Sequence, residues 1–354
     1  MSLKNIINLI YYMIGGSMKS VYSYTKDELV TYFEEMGEKK FKADQLFDWL
    51  YKKRVTDFSS MINLNKKVIA KLETDMYIDN LEILKIDKGS DVAKYLFKLS
   101  DGEKIEAVVM YHDYGISLCI STEVGCNMGC AFCESGRLKK RRELHVNEMV
   151  LQILAIEKDI NKRISHIVLM GIGEPFDNYD NVVKFINIIN DNKGIDIGAR
   201  HITVSTCGIV PKIKEFTKLN TQVNLAVSLH APNDTIRNKI MPISRAYPLD
   251  ELMSALKEYL SVTNRRITFE YIMLKDINDT RECALELSRL IGGMNAYVNL
   301  IPYNETENIG FKRSEKVKIL EFYDILKKNG INVTIRREFG GLVSAACGQL
   351  RSHG

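Results

Sequence analysis

The sequence lacks features that are typical of secreted or multidomain proteins. Only six of the 354 residues are proline, no tract rich in serine or glycine separates two halves, and no internal repeat is visible. The seven cysteines are an odd number in a long chain, which argues against a complete set of structural disulfides. These features indicate a reduced, cytoplasmic protein. The net charge of +4 is small, so an anionic partner is permitted but not required.

Long apolar runs are scarce as well. Residues 6–14 are mostly apolar, but a transmembrane helix needs about 20 such residues, and no small-residue cleavage site of a signal peptide follows. We therefore expect residues 1–17 to be a dispensable leader, Met18 to be the working start, and the protein to have no membrane association. The 45% hydrophobic and 27% charged residues are typical of an ordinary globular protein.

The first hundred residues predict a small α+β domain at residues 18–105. Helical spacing of apolar residues occurs at 24–36, 41–54 and 65–76, and three strand-like runs follow at 81–88, 93–99 and 104–111. The second helix is expected to bury one stripe, made of Phe41, Leu46, Phe47, Trp49 and Leu50.

The rest of the chain, 106–350, alternates short apolar strands with amphipathic helices. The strands are predicted at 116–121, 164–170, 201–206, 223–229, 267–274, 297–301 and 331–335. Such alternation predicts a parallel sheet with helical crossovers, here an α/β fold of the partial (β/α)6-barrel type. In such barrels the chemistry lies at the C-terminal ends of the strands. Functional residues should therefore follow strands directly.

Three cysteines follow the first barrel strand at short spacing, in the segment Cys126-Asn-Met-Gly-Cys130-Ala-Phe-Cys133. Three thiolates on one loop can converge on an iron–sulfur cluster and leave one iron open to another ligand. The alternative is structural zinc, which usually takes four protein ligands in two pairs. No second pair is present, and His145 is the nearest candidate for a fourth ligand.

The spacing CxxxCxxC with an aromatic residue before the last cysteine resembles the radical SAM signature, and further motifs resemble the RlmN/Cfr family of RNA adenosine methyltransferases. These motifs lie at Val168–Pro175, Ile202–Gly208, Val227–Pro232, Val298–Asn304 and Ala345–Leu350. Within the family the sequence is RlmN-like and somewhat divergent.

The resemblance implies a site for this chain. It implies one 4Fe-4S cluster on Cys126, Cys130 and Cys133, and two S-adenosylmethionine (SAM) molecules per turnover. The implied cofactor-binding residues are Gly173, Glu174, Ser205, Ser228, Leu229, His230 and Asn304. Cys347 would relay the methyl group, Cys119 would be the second catalytic thiol that forms a transient disulfide with it, and Glu106 would accept a proton.

Several of these residues also have a plain structural interpretation. Glu174 is suited to cap a helix, Cys119 to be a small buried apolar residue, and His230 to be a core histidine. Only their joint order and spacing favours the functional interpretation. Cys207 and Cys283 match nothing in the family and are expected to be buried.

The implied substrate is RNA, with 23S rRNA as the target and tRNA as a further candidate. The resemblance also implies an electron donor, such as flavodoxin or ferredoxin. The protein itself is expected to be a monomer. Two basic surfaces are candidates for RNA contact. One is the run Arg137–Arg142, with five basic residues in six, and the other comprises Lys39, Lys40, Lys42, Lys52, Lys53 and Arg54.

The sequence departs from the family pattern at Arg141–Leu144 and at Phe339–Ser344, so the substrate is less certain than the reaction type. Three functions therefore stay open. The first is methylation of C2 of an adenosine in 23S rRNA, the second is Cfr-type methylation of C8, and the third is RNA binding by a zinc-stabilised protein without catalysis.

Overall fold

The computed structural model describes residues 18–219, 221–306, 309–336 and 348–350. The chain divides into two compact units. The first contains the described residues up to Leu81 together with His145–Ile160 and Val183–Ile197, and the second contains the remainder. In the part of the chain that is described, no helix is both long and apolar enough to cross a membrane.

The first unit is mainly helical. Its helices are α1 (Lys26–Glu35), α2 (Phe41–Phe47), α3 (Lys66–Asp75), α4 (Val146–Ile160) and the larger part of α5 (Tyr179–Asn190), and β1 (Lys19–Ser20) pairs in parallel with β2 (Met76–Tyr77). A capping box starts α1, because Thr25 and Glu28 each accept a backbone N–H from the other. The predicted helix 41–54 is α2 followed by one π-helical turn at Asp48–Lys52.

The buried stripe predicted for this helix is confirmed except at its first residue. Leu46, Phe47 and Leu50 are fully buried and Trp49 is 9% exposed. Phe41, in contrast, is 45% exposed. Phe41 is the first residue of α2, and the ammonium group of Lys42 lies 5.4 Å from the centre of its ring.

The second unit is built on one ten-stranded sheet. Its strands are β3 (Glu82–Lys88), β4 (Val92–Lys98), β5 (Lys104–His112), β6 (Gly115–Cys119), β9 (His166–Leu169), β10 (Ile202–Thr206), β11 (Asn224–Ser228), β12 (Ile267–Met273), β13 (Ala296–Pro302) and β14 (Asn332–Ile335). The order is β14-β13-β12-β11-β10-β9-β6-β5-β4-β3. Neighbours from β6 to β14 are parallel and those from β3 to β6 are antiparallel.

Helices between the parallel strands complete the α/β pattern that the sequence predicts. They are α6 (Val210–Thr217), α7 (Asp234–Ile240), α8 (Leu249–Thr263), α9 (Arg281–Ile291) and α10 (Lys316–Lys328). Leu249, Leu252 and Leu256 on one face of α8 are buried.

The predicted β-meander is present, but it extends the barrel sheet instead of forming a separate layer. β5 pairs with β6 over five residue pairs, from Val108 opposite Cys119 to His112 opposite Gly115. The domain boundary expected at residue 105 therefore falls inside β5. Antiparallel pairing across a two-residue connection explains this arrangement, because the β5–β6 hairpin forms locally.

A two-stranded antiparallel ribbon joins the two ends of the cysteine loop. β7 (Glu123–Val124) pairs antiparallel with β8 (Arg142–Glu143), and the three motif cysteines lie between them. The segment that departs from the family pattern is thus partly the closing strand of this loop.

Candidate active site

The site residues implied by the resemblance lie at the C-terminal edge of the parallel sheet, so far as they are described. Cys119 ends β6, Ser228 ends β11, and Ser205 is the penultimate residue of β10. Gly173 and Glu174 follow β9 by four and five residues, and Asn304 follows β13 by two. Cys347 lies outside the described residues.

The cysteine loop is held in shape by backbone hydrogen bonds. The N–H of Cys126 donates to the carbonyl of Leu138 at 2.9 Å, and that of Cys133 donates to Cys130 at 3.1 Å. The loop is also closely packed on itself, because a Cβ at Gly136 would lie 2.8 Å from the carbonyl oxygen of Cys130. A larger residue at 136 would therefore displace the backbone beside the central cysteine.

The three thiols are partly buried, and acidic groups lie near Cys126 and Cys130. Burial raises the pKa of Cys126 to about 12, and the carboxylates of Glu123 and Glu174 act in the same direction. Burial likewise raises the pKa of Cys130. Thiolates bind metals, so a positively charged centre has to compensate both burial and these carboxylates.

The donor set fits an iron–sulfur cluster. Three soft thiol ligands on one loop are the ligands that such clusters take, and a four-iron cluster places each thiolate on a different iron.

Glu174 connects the ends of two neighbouring strands. Its carboxylate accepts the backbone N–H of Phe176 at 3.0 Å and that of Cys207 at 2.7 Å, and its side chain is 4% exposed. The carboxylate caps a short 3-10 turn, Pro175–Asn178, as its structural interpretation predicts. Burial raises the pKa of Glu174 despite these two donors.

Glu123 is a second buried carboxylate, which sequence reasoning missed. It is 0% exposed, accepts the N–H of Glu174 at 2.9 Å, and forms an ion pair with Lys140 at 2.7 Å. Burial raises the pKa of Glu123 to about 7, against the lowering effect of Lys140. Its position three residues before Cys126, the first cysteine of the motif, is the only signal in the sequence that could have identified it.

His230 joins the strand ends to the cysteine loop. Its Nδ1 accepts the N–H of Ile272 at 3.0 Å, and the ring of Phe132 meets the imidazole edge to face at 4.9 Å. Burial lowers the pKa of His230 to about 3, so the imidazole is neutral. Since Nδ1 is an acceptor, Nε2 carries the proton. The aromatic residue of the CxxxCxxC motif thus packs against one of the implied cofactor residues.

Cys119 and Glu106 lie on neighbouring strands. Cys119 is buried among apolar residues that include Val108 and Leu350. Glu106 is 2% exposed, and its carboxylate pairs with Lys94 at 3.1 Å. The backbone carbonyl of Glu106 accepts the hydroxyl of Ser121, two residues after Cys119, at 2.6 Å.

The residues that follow Cys347 in the sequence are anchored on the cysteine loop. The N–H of Glu134 donates to the carbonyl of Gly348 at 2.8 Å, and the hydroxyl of Ser135 donates to that of Leu350 at 2.7 Å. Leu350 belongs to the same buried cluster as Cys119. The described C-terminal segment therefore touches both the cysteine loop and the surroundings of Cys119.

The remaining cysteines are buried, as predicted. Cys207 and Cys283 are each 5% exposed. All six described cysteines are free thiols, so no disulfide exists among them.

The basic run after the cysteine loop is not a bare positive patch. Lys140 pairs with Glu123 and with Asp177 at 2.9 Å, Arg141 pairs with Glu103 at 2.5 Å, and Arg142 pairs with Asp101 at 2.6 Å. Arg137, Lys139 and Arg141 are exposed. In the first unit, Lys53 pairs with Asp48 at 3.3 Å and Arg54 pairs with Glu157.

Two family models match the chain. Residues 20–78 match the ribosomal RNA large subunit methyltransferase N-terminal domain, and residues 120–287 match the radical SAM superfamily.

Relatives match over almost the whole chain. A probable dual-specificity RNA methyltransferase RlmN of Spiroplasma citri is 53% identical over 95% of this chain and 98% of its own length. One of Streptococcus thermophilus (strain CNRZ 1066) is 51% identical over 96% of this chain and 89% of its own. The crystal structure of a radical SAM methyltransferase from Sphaerobacter thermophilus aligns with a TM-score of 0.89 at 38% identity, over 95% of this chain and 100% of that one.

Proposed function

The chain belongs to the RlmN family of radical SAM RNA methyltransferases, and on that basis we propose that it methylates C2 of an adenosine in 23S rRNA and also modifies tRNA. The observation that carries the proposal is the 53% identity to an RlmN relative over 95% of the chain. The dual specificity in the names of these relatives supports the second substrate.

Cys126, Cys130 and Cys133 would hold one 4Fe-4S cluster. When bound, the cluster would supply the electron that cleaves SAM reductively. Residues of the cysteine loop would surround the cluster. Gly136 allows its backbone to pack closely against that of Cys130.

SAM binding is assigned to the C-terminal edge of the sheet. The proposed binding residues are Gly173, Glu174, Ser205, Ser228, Leu229, His230 and Asn304. Their positions at or after β9, β10, β11 and β13 of the same parallel sheet support a single site. The neutral His230 would offer Nε2–H as a donor, because Nδ1 is occupied by Ile272. Two SAM molecules would be used per turnover, one as methyl donor and one as radical source.

Cys347 would accept the methyl group and carry it to the adenine ring. Glu106 would take the ring proton, and Cys119 would release Cys347 by forming a transient disulfide with it. The anchoring of Gly348 and Leu350 supports this pairing, since Leu350 packs in the cluster that contains Cys119.

A cytoplasmic location follows from a ribosomal substrate, and the electron for the cluster would come from a carrier such as flavodoxin or ferredoxin. We propose a monomer. The helical residues before Leu81 would form an accessory part for RNA, in line with the match of residues 20–78 to the family's N-terminal domain.

Nucleoside mass spectrometry tests the substrate. RNA from cells with and without the gene is digested, and 2-methyladenosine is expected only where the gene is present, in both 23S rRNA and tRNA. A gain of 8-methyladenosine would favour the Cfr-type reaction instead. A colourless, iron-free protein after anaerobic purification would contradict the enzyme function and favour the zinc-stabilised RNA-binding protein.

The relay role is tested by Cys347→Ala, with Cys283→Ala as the matched control. The first variant is expected to lose RNA methylation while it still cleaves SAM. The second removes a buried thiol on α9 that has no proposed role, and methylation should persist. Methylation by Cys347→Ala would refute the relay.

A further inference from the structure

Arg237 on α7 is completely buried, at 0% exposure, yet it has no ion pair within the described chain. The nearest acid along the helix, Asp234, instead accepts the hydroxyl of Ser244 at 2.9 Å and the N–H of Leu249 at 3.1 Å. A buried guanidinium without a carboxylate is unusual, because removing a charge from water costs several kcal/mol unless it is compensated.

The guanidinium binds the carbonyl groups at the ends of two strands. Nη2 donates to the carbonyl of Cys207 at 2.7 Å and to that of Ser228 at 3.3 Å, and Nε donates to that of Leu229 at 3.2 Å. These bonds fix the ends of β10 and β11. They involve only neutral acceptors, and Nη1 is buried without a hydrogen-bond partner among the described residues.

The guanidinium is connected to the cysteine loop through a buried cluster of residues. Cys207, whose carbonyl accepts Nη2, lies in this cluster with Phe132 and Ile240, and Cys130 and Cys133 pack against it. The helix of Arg237 is also tied to the cysteine loop directly, since the N–H of Ala131 donates to the carbonyl of Ile240 at 2.9 Å. The cation therefore lies on the element against which the three-cysteine loop packs.

We propose that Arg237 is a positioning residue that compensates the negative charge of the cluster on Cys126, Cys130 and Cys133 and raises its reduction potential. The inference rests on the proposed function, because it requires the cluster. Three thiolates around a cluster core of charge +2 give a net charge of −1, which reduction by one electron makes −2. A nearby cation stabilises the reduced state more than the oxidised one. Without Arg237 the cluster is harder to reduce.

Two substitutions separate charge from hydrogen bonding. Arg237→Gln keeps a donor for the carbonyl groups and removes the charge, whereas Arg237→Lys keeps the charge and removes the fork of donors. Each holoenzyme is prepared anaerobically and titrated with a reductant, and the reduced cluster is followed by electron paramagnetic resonance. At a given potential, the ratio of reduced to oxidised cluster is expected to be at least tenfold lower in Arg237→Gln than in wild type. A tenfold change corresponds to a shift of the reduction potential by 59 mV for one electron. Arg237→Lys should stay close to wild type.

Arg265→Gln is the matched control. Arg265 also binds neutral acceptors, the carbonyl of Gln222 at 2.8 Å and the side chain of Asn224 at 2.7 Å, but it lies at the N-terminal ends of the strands. Its substitution should leave the potential unchanged. Equal potentials in the Gln and Lys variants of Arg237, or equal loss of the cluster from both, would overturn the proposal. Wild-type protein without iron would instead contradict the proposed function itself.

Discussion

At the residue scale, the site is built from buried charged groups whose partners are backbone atoms. Glu174 accepts two N–H groups and Arg237 donates to three carbonyls. A backbone partner cannot move away when the side chain is changed. Removing one member of such a pair therefore leaves a buried polar group without a hydrogen bond, which costs about 1–3 kcal/mol.

Glu174→Gln should therefore lower the stability of the protein. Both carboxylate oxygens accept N–H groups, and the amide nitrogen of glutamine would face one of these donors instead of accepting from it. We expect the free energy of unfolding, measured by urea denaturation of the metal-free protein, to fall by about 1–3 kcal/mol.

Glu215→Gln is the control for this change. Its carboxylate is 45% exposed and pairs with Lys212 at 2.8 Å on the surface of α6, so a change of about 1 kcal/mol or less is expected. Equal stability of the Glu174 variant and wild type would contradict the capping role and leave cofactor binding as the reason for this residue.

At the element scale, the turns after the strands bring the backbone close to the site. Gly173 has φ +107°, and a Cβ there would lie 2.6 Å from the Cβ of Glu123. The turn after β9 and the entry to the cysteine loop are therefore packed to a distance that only glycine allows.

Gly173→Ala should be more destabilising than Gly102→Ala. Both glycines have positive φ, at which alanine costs roughly 1–2 kcal/mol. The space around Gly102 is open, whereas Gly173 contacts Glu123, so crowding adds about 1–3 kcal/mol at Gly173 only. Urea denaturation of both variants gives the difference, and equal losses would show that the turn can open.

The Lys140 network is the second element-scale feature. Lys140→Met leaves the buried Glu123 without its cation and should lower the free energy of unfolding by about 3–5 kcal/mol. Arg141→Met removes the same charge from an exposed pair with Glu103, where about 0–1 kcal/mol is expected. Thermal or chemical unfolding of the two variants measures this difference. An unchanged free energy of unfolding in Lys140→Met would mean that Glu123 is protonated in the folded protein.

At the scale of the whole molecule, the pairing and exposure of the basic side chains decide which of them are available to contact RNA. Lys140, Arg141 and Arg142 have acidic partners within the protein. The run as a whole is therefore less positive than its sequence suggests. Its exposed members, Arg137, Lys139 and Arg141, are the ones that can reach phosphate.

Salt dependence of RNA binding tests this surface. If Lys139 contacts a phosphate, Lys139→Ala should reduce the slope of log affinity against log salt concentration by about 0.7–0.9. The buried ion pair of Lys140 should make Lys140→Arg neutral in the same titration. Unchanged slopes for Arg137→Ala and Lys139→Ala would place the RNA on the lysine-rich surface of the first unit instead.

The sequence by itself determined the order of the elements, the α/β class, the cysteine loop and the family. These follow from local periodicity and short spacing, which the chain carries wherever it folds. Cys126, Cys130 and Cys133 are close in sequence, and the strands before the site residues begin and end within two residues of the bounds that their apolar runs predict.

Only the tertiary structure decided which charges are paired and which are buried. Glu123 with Glu174, Arg142 with Asp101, and Arg237 with Cys207 are each about 30 to 50 residues apart in sequence. Such pairs arise where segments that are distant in sequence meet in the folded chain, so no local pattern signals them. For the same reason the sequence did not reveal the ion pairs of the basic run, the continuity of β3–β5 with the barrel sheet, or the burial of Arg237.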